Sequence, residues 1–204
     1  MTKHRFNWEY KEGYSTQNIL GDKPLMSEGE TECILKYLKP HMTMFEYGAG
    51  GSTLFFPRYV RRYYSVENQA HWYKFIKNKI KDNPEFDNVD IYFVQQDIAS
   101  DYNDYPVDDE FHTYAKSISN IGIDKFDIIL VDGPNRSRAF CADVAYNHMD
   151  NDSILCYHDY YSHLYEKKYM FPEGWNVEDK YEIIDKVELS EENPQSIAIM
   201  RKRI

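Results

Sequence analysis

FEYGAGGSTLFF, residues 45–56, holds three of the chain's nine glycines within four positions. The apolar approach through Met42, Met44 and Phe45 reads as a short strand. Gly48 and Gly50 can adopt backbone angles closed to other residues and present no Cβ to a ligand lying across the turn. Ser52 or Thr53 then reads as the cap of a helix whose amide end favours negative charge. Strand, glycine turn and helix open a βαβ unit, and such units bind ligands at the carboxyl ends of their strands. Pro57 falls inside that helix, which is therefore kinked or starts late.

Strand and helix signals alternate outward from this stretch. Ser27 and Glu30 have capping-box spacing ahead of Cys33, Ile34, Leu35 and Leu38 at helical intervals, with Lys39-Pro40 as a stop. RYYSVEN (62–68) reads as a second strand and AHWYKFIKNKI (70–80) as a helix with Trp72, Phe75, Ile76 and Ile80 on one stripe. VDIYFVQQD (89–97) is a third strand. FDIILVDG (126–133) is a fourth, with the unbroken apolar run of a strand buried on both faces. RAFCADVAYNH (138–148) reads as a helix and SILCYHDYY as a fifth strand with a polar end. EIIDKVEL and SIAIMRKRI close the chain as a hairpin. The expected architecture is α/β: a Rossmann-like, seven-stranded, mostly parallel sheet with a C-terminal antiparallel hairpin and helices on both faces. Residues 1–26 read as an N-terminal arm, 27–204 as the domain, and the acidic, Tyr-rich stretch 97–122 as an inserted lid or substrate wall.

Composition narrows the function classes. Lys and Arg number 24 against 34 Asp and Glu, a formal net charge of −10 over 204 residues. That balance argues against a nucleic-acid partner, which needs a basic face. Cys33, Cys141 and Cys156 lack CxxC spacing and read as reduced core thiols of a cytoplasmic protein, in the host cytoplasm if the source is viral. No apolar run suits a membrane span or an export signal.

The strand ends collect the chemistry: Glu46 through Gly51, Glu67-Asn68, Asp97, Asp132-Gly133-Pro134, and His158-Asp159-Tyr160. One such acid is ordinarily a helix cap, but carboxylates recurring at station after station point to a site. Glu67 ends the strand after the glycine turn and is suited to accept hydrogen bonds from both hydroxyls of a ribose.

Together, E-Y-G-A-G-G-S-T, the acid after strand two, Asp97 after strand three, V-D-G-P after strand four and the terminal hairpin resemble class I S-adenosylmethionine-dependent methyltransferases. FDIILVDGPNRSR and LCYHDYY look most like the small enzymes that O-methylate sugars and polysaccharides. The resemblance spans residues 27–204 and implies S-adenosylmethionine as cofactor. Glu46, Gly48 and Gly50 would hold its methionine part, with Ala49, Ser52 and Thr53 in the same turn. Glu67 would hold the ribose and Asp97 the adenine edge, with Asn68, Ile98 and Asp132 as further cofactor contacts, and Asp132 and Asp159 would flank the transfer site. Thr53 stands where a dinucleotide fingerprint has its third glycine, which favours this cofactor over NAD.

Methyl transfer to a hydroxyl needs a base and in-line placement. Asp132, His158 and Asp159 are the expected catalytic group. Two routes stay open: His158 as the base, or Mg²⁺ or Mn²⁺ held by Asp132 and Asp159. Arg136, Arg138, Tyr160 and Tyr161 are the candidate substrate contacts, for a sugar or oligosaccharide acceptor. Methylation of a small phenol or protein side chain, or a non-catalytic cofactor-binding module, are the alternatives. Oligomeric state is open, a homodimer included.

Overall fold

The computed structural model describes residues 23–97, 107–161, 177–188 and 196–203. Seven strands form one sheet: β1 (Thr43–Tyr47), β2 (Arg62–Glu67), β3 (Val89–Phe93), β4 (Ile128–Val131), β5 (Ile154–His158), β6 (Tyr181–Val187) and β7 (Ile197–Lys202). Their order is β3-β2-β1-β4-β5-β7-β6. The first five run parallel, while β7 pairs antiparallel with both β5 and β6. From β1 the chain builds outward through β2 and β3, then returns to lay β4 on the other side of β1. That reversal opens a crevice at the carboxyl ends of β1 and β4. The fold is thus the expected mixed, Rossmann-like sheet.

Strand periodicity sorts the core onto two faces. Phe45, Tyr47, Ile129, Val131, Leu155, Tyr157, Ala198 and Met200 face one side, and Met44, Ile128, Leu130, Cys156, Ile197 and Ile199 face the other. Helices α4 (Val107–Lys116) and α5 (Arg138–Ala145) cover the first side. Helices α1 (Glu28–Leu35) and α3 (Ala70–Ile80) cover the second, with Ile34 and Ile76 fully buried. All four residues of β4 are buried, as its apolar run implied. The three cysteines are buried and unpaired. No helix among the described residues is long and apolar enough to cross a membrane.

Three local expectations are corrected. α1 ends at Leu35, before Lys39-Pro40, although the Ser27–Glu30 capping box forms as read. The helix after β1, α2 (Gly51–Phe55), has five residues, and Pro57 starts the 3₁₀ turn Phe56–Tyr59 that replaces its continuation. The stretch 97–122 is no lid over its described helical part. Phe111, Tyr114, Ala115 and Ile118 insert into the main core from α4 and the 3₁₀ turn that follows it. Residues 98–106 of that stretch, and residues 1–22 of the expected arm, lie outside the described residues.

Candidate active site

The crevice at the ends of β1 and β4 is a cleft of about 390 Å³, within the size range of small-molecule sites. One wall is the turn Gly48–Ser52. Another is Glu67, Asn68 and Gln69 at the end of β2, with Trp72 of α3 above them. The far wall is Asp132, Gly133 and Pro134 after β4, closed by Arg138, His158 and Asp159.

The glycines of the opening stretch do three different jobs. Gly48 alone is left-handed, with φ +95, and a Cβ there would lie 2.5 Å from the Asp132 carbonyl oxygen. Gly50 is extended, and its bare face leaves the turn open toward the cleft. Gly51 is demanded by the chain itself: its Cβ would stand 2.0 Å from the carbonyl oxygen of Lys23, whose segment crosses the turn and sets Leu25 into the cleft. Gly48→Ala is expected to cost about 1–2 kcal/mol from the left-handed backbone alone, read as a lowered melting temperature in thermal denaturation. An unchanged melting temperature would show that the turn relaxes freely.

Glu46 does not reach the cleft. It is fully buried, and its carboxylate accepts hydrogen bonds from the hydroxyls of Ser52, Thr53 (2.6 Å) and Ser65 (2.8 Å). Burial pushes its pKa up to about 7 despite those donors. Ser52 and Thr53, expected as helix caps, instead lie inside α2 and tie it to β1. Thr53 also accepts the Gly50 amide at 3.0 Å.

Glu67 does line the cleft. One oxygen accepts the Ala49 amide at 3.0 Å and the other the Gln69 amide at 2.7 Å. It therefore pins the glycine turn to the start of α3. Burial raises its pKa to about 7, against the backbone donors that lower it. Asp97, expected at the adenine, is exposed and engages the backbone amide (2.8 Å) and hydroxyl of Thr113 in α4, away from the residues that line the cleft. Ile98 lies outside the described residues.

At the far wall Asp132, His158 and Asp159 converge. His158 Nδ1 lies 2.7 Å from Asp132 Oδ1 and 3.5 Å from Asp159 Oδ2. The Arg138 guanidinium bridges both acids, at 3.1 Å from Asp132 and 2.9 Å from Asp159, and donates to the carbonyls of Gly133 and His158. Asp159 sits in the left-handed region at φ 56, a strained setting of the kind that gathers at working sites. A fifth group comes from far away in sequence: Glu30 of α1, whose Oε1 lies 3.4 Å from His158 Nε2. Burial opposes charge on His158, but Asp132, Glu30 and Asp159 outweigh it and raise its pKa to about 10.

This geometry corrects several roles. With Asp132 and Asp159 at Nδ1, Glu30 beyond Nε2 and a pKa raised to about 10, the ring favours its charged form, which has no lone pair to accept a proton and argues against His158 as the base. A divalent cation between Asp132 and Asp159 does not fit either, because two cationic side chains, Arg138 and His158, occupy that side of both acids. No group of three or more His, Cys, Asp or Glu among the described residues is placed to hold a metal. Arg138 is buried in the cluster, and Arg136 pairs with Glu110 of α4 at 2.8 Å, so neither is free to grip a substrate. Tyr160 is a core residue whose hydroxyl donates to Glu178, and Tyr161 packs its ring beneath Lys186.

No protein-family model and no curated protein matches the chain. Solved structures do. A methyltransferase-like protein from Silicibacter pomeroyi is 22% identical over 89% of this chain and 90% of its own, with a TM-score of 0.60. A tRNA methyltransferase from B. subtilis is 13% identical over 88% of this chain and 68% of its own, with a TM-score of 0.56. A mutant of MtNAS, solved in complex with S-adenosylmethionine, is 12% identical over 85% of this chain and 59% of its own, with a TM-score of 0.52. At these identities the likeness establishes the fold.

Proposed function

We propose that the protein is an S-adenosylmethionine-dependent O-methyltransferase whose acceptor is a hydroxyl of a sugar in a glycan or glycoconjugate. The observation that carries this reading is one cleft with two acidic ends. Glu67 stands at the turn, and at the far wall three carboxylates (Glu30, Asp132, Asp159) face two cations (Arg138, His158), a formal net of −1. A cationic ligand with a diol suits such a cleft, and the cofactor bound in one structural neighbour has both features.

When bound, S-adenosylmethionine supplies an electrophilic methyl group on a positively charged sulfur. The chain does the rest. An ionised carboxylate offers about four acceptor positions on two oxygens; Glu67 turns them to the Ala49 and Gln69 amides, with the Asn68 amide beside them, and keeps acceptor capacity toward the cleft for a ribose hydroxyl. The open turn at Ala49 and Gly50 lets the ligand lie against the backbone, and Trp72 supplies a flat apolar wall suited to adenine. At the other end Asp132 and Asp159 are partly exposed, at 20% and 24%, and paired carboxylates suit the hydroxyls of a sugar ring. Arg138 engages Oδ2 of Asp159, which leaves Oδ1 as the atom to take the acceptor's proton. Arg138 and His158 hold both acids in place while that proton moves.

Glu67 must be ionised to accept from the ribose, and its pKa of about 7 makes cofactor binding depend on pH near neutrality. Affinity is expected to rise about tenfold from pH 6 to pH 8 as that carboxyl ionises. Calorimetry in buffers of different ionisation heat should show proton release on binding. A flat profile would remove Glu67 from the ribose.

Acceptor class is tested by incubating the full chain with methyl-labelled cofactor and, separately, nucleotide sugars, oligosaccharides, a catechol, a protein mixture and total RNA. Label is expected in the carbohydrate. Label in RNA alone, the substrate class named for one structural neighbour, would overturn the acceptor assignment; the net charge of −10 argues against that outcome.

A further inference from the structure

We infer that Glu30 is a positioning residue of this site: it fixes the His158 ring from behind and, through the ring, the Asp132 carboxylate. Its effect on turnover rests on the methyl-transfer reading above, while its hold on His158 rests on geometry alone.

Glu30 is the third residue of α1 and has no exposed surface. Its two oxygens are divided between two tasks. Oε2 accepts from the Ser27 amide and the Ser27 hydroxyl, both at 2.8 Å, completing the capping box. A capping box asks no more than that and is met as well by Gln. A fully buried carboxylate is costly unless a charge answers it. The answering charge is His158, 3.4 Å from Oε1, and its proximity holds the Glu30 pKa below the usual carboxylate value although burial alone would raise it.

The sheet explains the meeting. Alternation along β5 turns His158 to the same side as Cys156, the side α1 covers. The ring is then held between Glu30 at Nε2 and Asp132 at Nδ1, with Asp159 and Arg138 completing its charged surroundings. Hydrogen-bonded to Asp132 at Nδ1 and facing the Glu30 carboxylate at Nε2 across 3.4 Å, a charge contact and not a hydrogen bond, the ring resists flipping, and the Asp132 oxygen it engages keeps one orientation at the cleft wall. An acid that orients a histidine, which in turn orients a working side chain, is a recurrent arrangement, and here that side chain is Asp132, the acid proposed to hold the acceptor's hydroxyls. Here the orienting acid comes from the N-terminal helix, which makes the docking of α1 part of the site.

Glu30→Gln separates the two tasks, because Gln preserves the capping box and removes the charge. In NMR titrations of the full chain without cofactor, the His158 ring should remain protonated past pH 8 in the native protein. In Glu30→Gln its midpoint should fall by about one unit or more. Turnover should fall roughly tenfold with cofactor affinity unchanged, one lost charge interaction being worth about that factor. Ser27→Ala, which cuts the cap and spares the charge, should lower the melting temperature and leave the His158 titration native. A native His158 titration in folded Glu30→Gln overturns the inference. So does an equal shift in Ser27→Ala, or a shifted titration with full turnover. Failure to bind S-adenosylmethionine would instead sink the proposed reaction, and the titration would still decide whether Glu30 holds the ring.

Discussion

Asp159→Asn should lower turnover roughly a hundred- to ten-thousandfold, the range a positioned general base contributes, while cofactor affinity stays near native. Asn is a sparing replacement. It tolerates the left-handed backbone that Asp159 adopts, and its amide oxygen can still accept from Arg138. What it lacks is a carboxylate oxygen able to take the acceptor's proton. Single-turnover kinetics with saturating cofactor isolate that loss from binding. Native turnover would dismiss Asp159 and leave Asp132, the other acid of the wall, as the base.

Glu67→Ala should weaken S-adenosylmethionine binding about ten- to a hundredfold, from losing charge-assisted bonds worth about 1.5–3 kcal/mol. The structure adds a second consequence. The Ala49 and Gln69 amides lose their shared acceptor, so the glycine turn and the start of α3 should exchange backbone amide protons faster. Glu67→Gln removes the charge and one of the two acceptor oxygens, so it keeps an acceptor for one of those amides, where Ala keeps none. Cofactor affinity should fall in both variants and local protection chiefly in Glu67→Ala. Native affinity in a folded Glu67→Ala would reduce Glu67 to a brace for the turn.

The parts of this fold that could be read from sequence are those written in local periodicity. The apolar run of β4, the stripe of α3 and the Ser27–Glu30 box each depend on neighbours a few residues away. The convergence of Asp132, His158 and Asp159 was legible too, because β4 and β5 are adjacent parallel strands and residues ending both must meet. α4 was hidden despite Phe111, Tyr114, Ala115 and Ile118 falling at helical intervals, since the acids around them gave the stretch the look of a solvated loop. Gly51 drew no separate reading, because its constraint comes from the Lys23 backbone, which no local pattern announces. Glu30 shows the limit most clearly. Its spacing from Ser27 explains one oxygen, and only the packing of α1 on β5 reveals the use of the other. The raised pKa of His158 follows from that same packing, since Asp132 and Asp159 were legible at the strand ends and the fold adds Glu30.

Titrating the full chain with S-adenosylmethionine and with S-adenosylhomocysteine, by calorimetry at pH 7.5 or thereabouts, tests the central claim most directly. The account predicts saturable binding of S-adenosylmethionine at one site per chain, weakened by Glu67→Ala and retained in Asp159→Asn. Absence of binding by either ligand to the folded protein would contradict it.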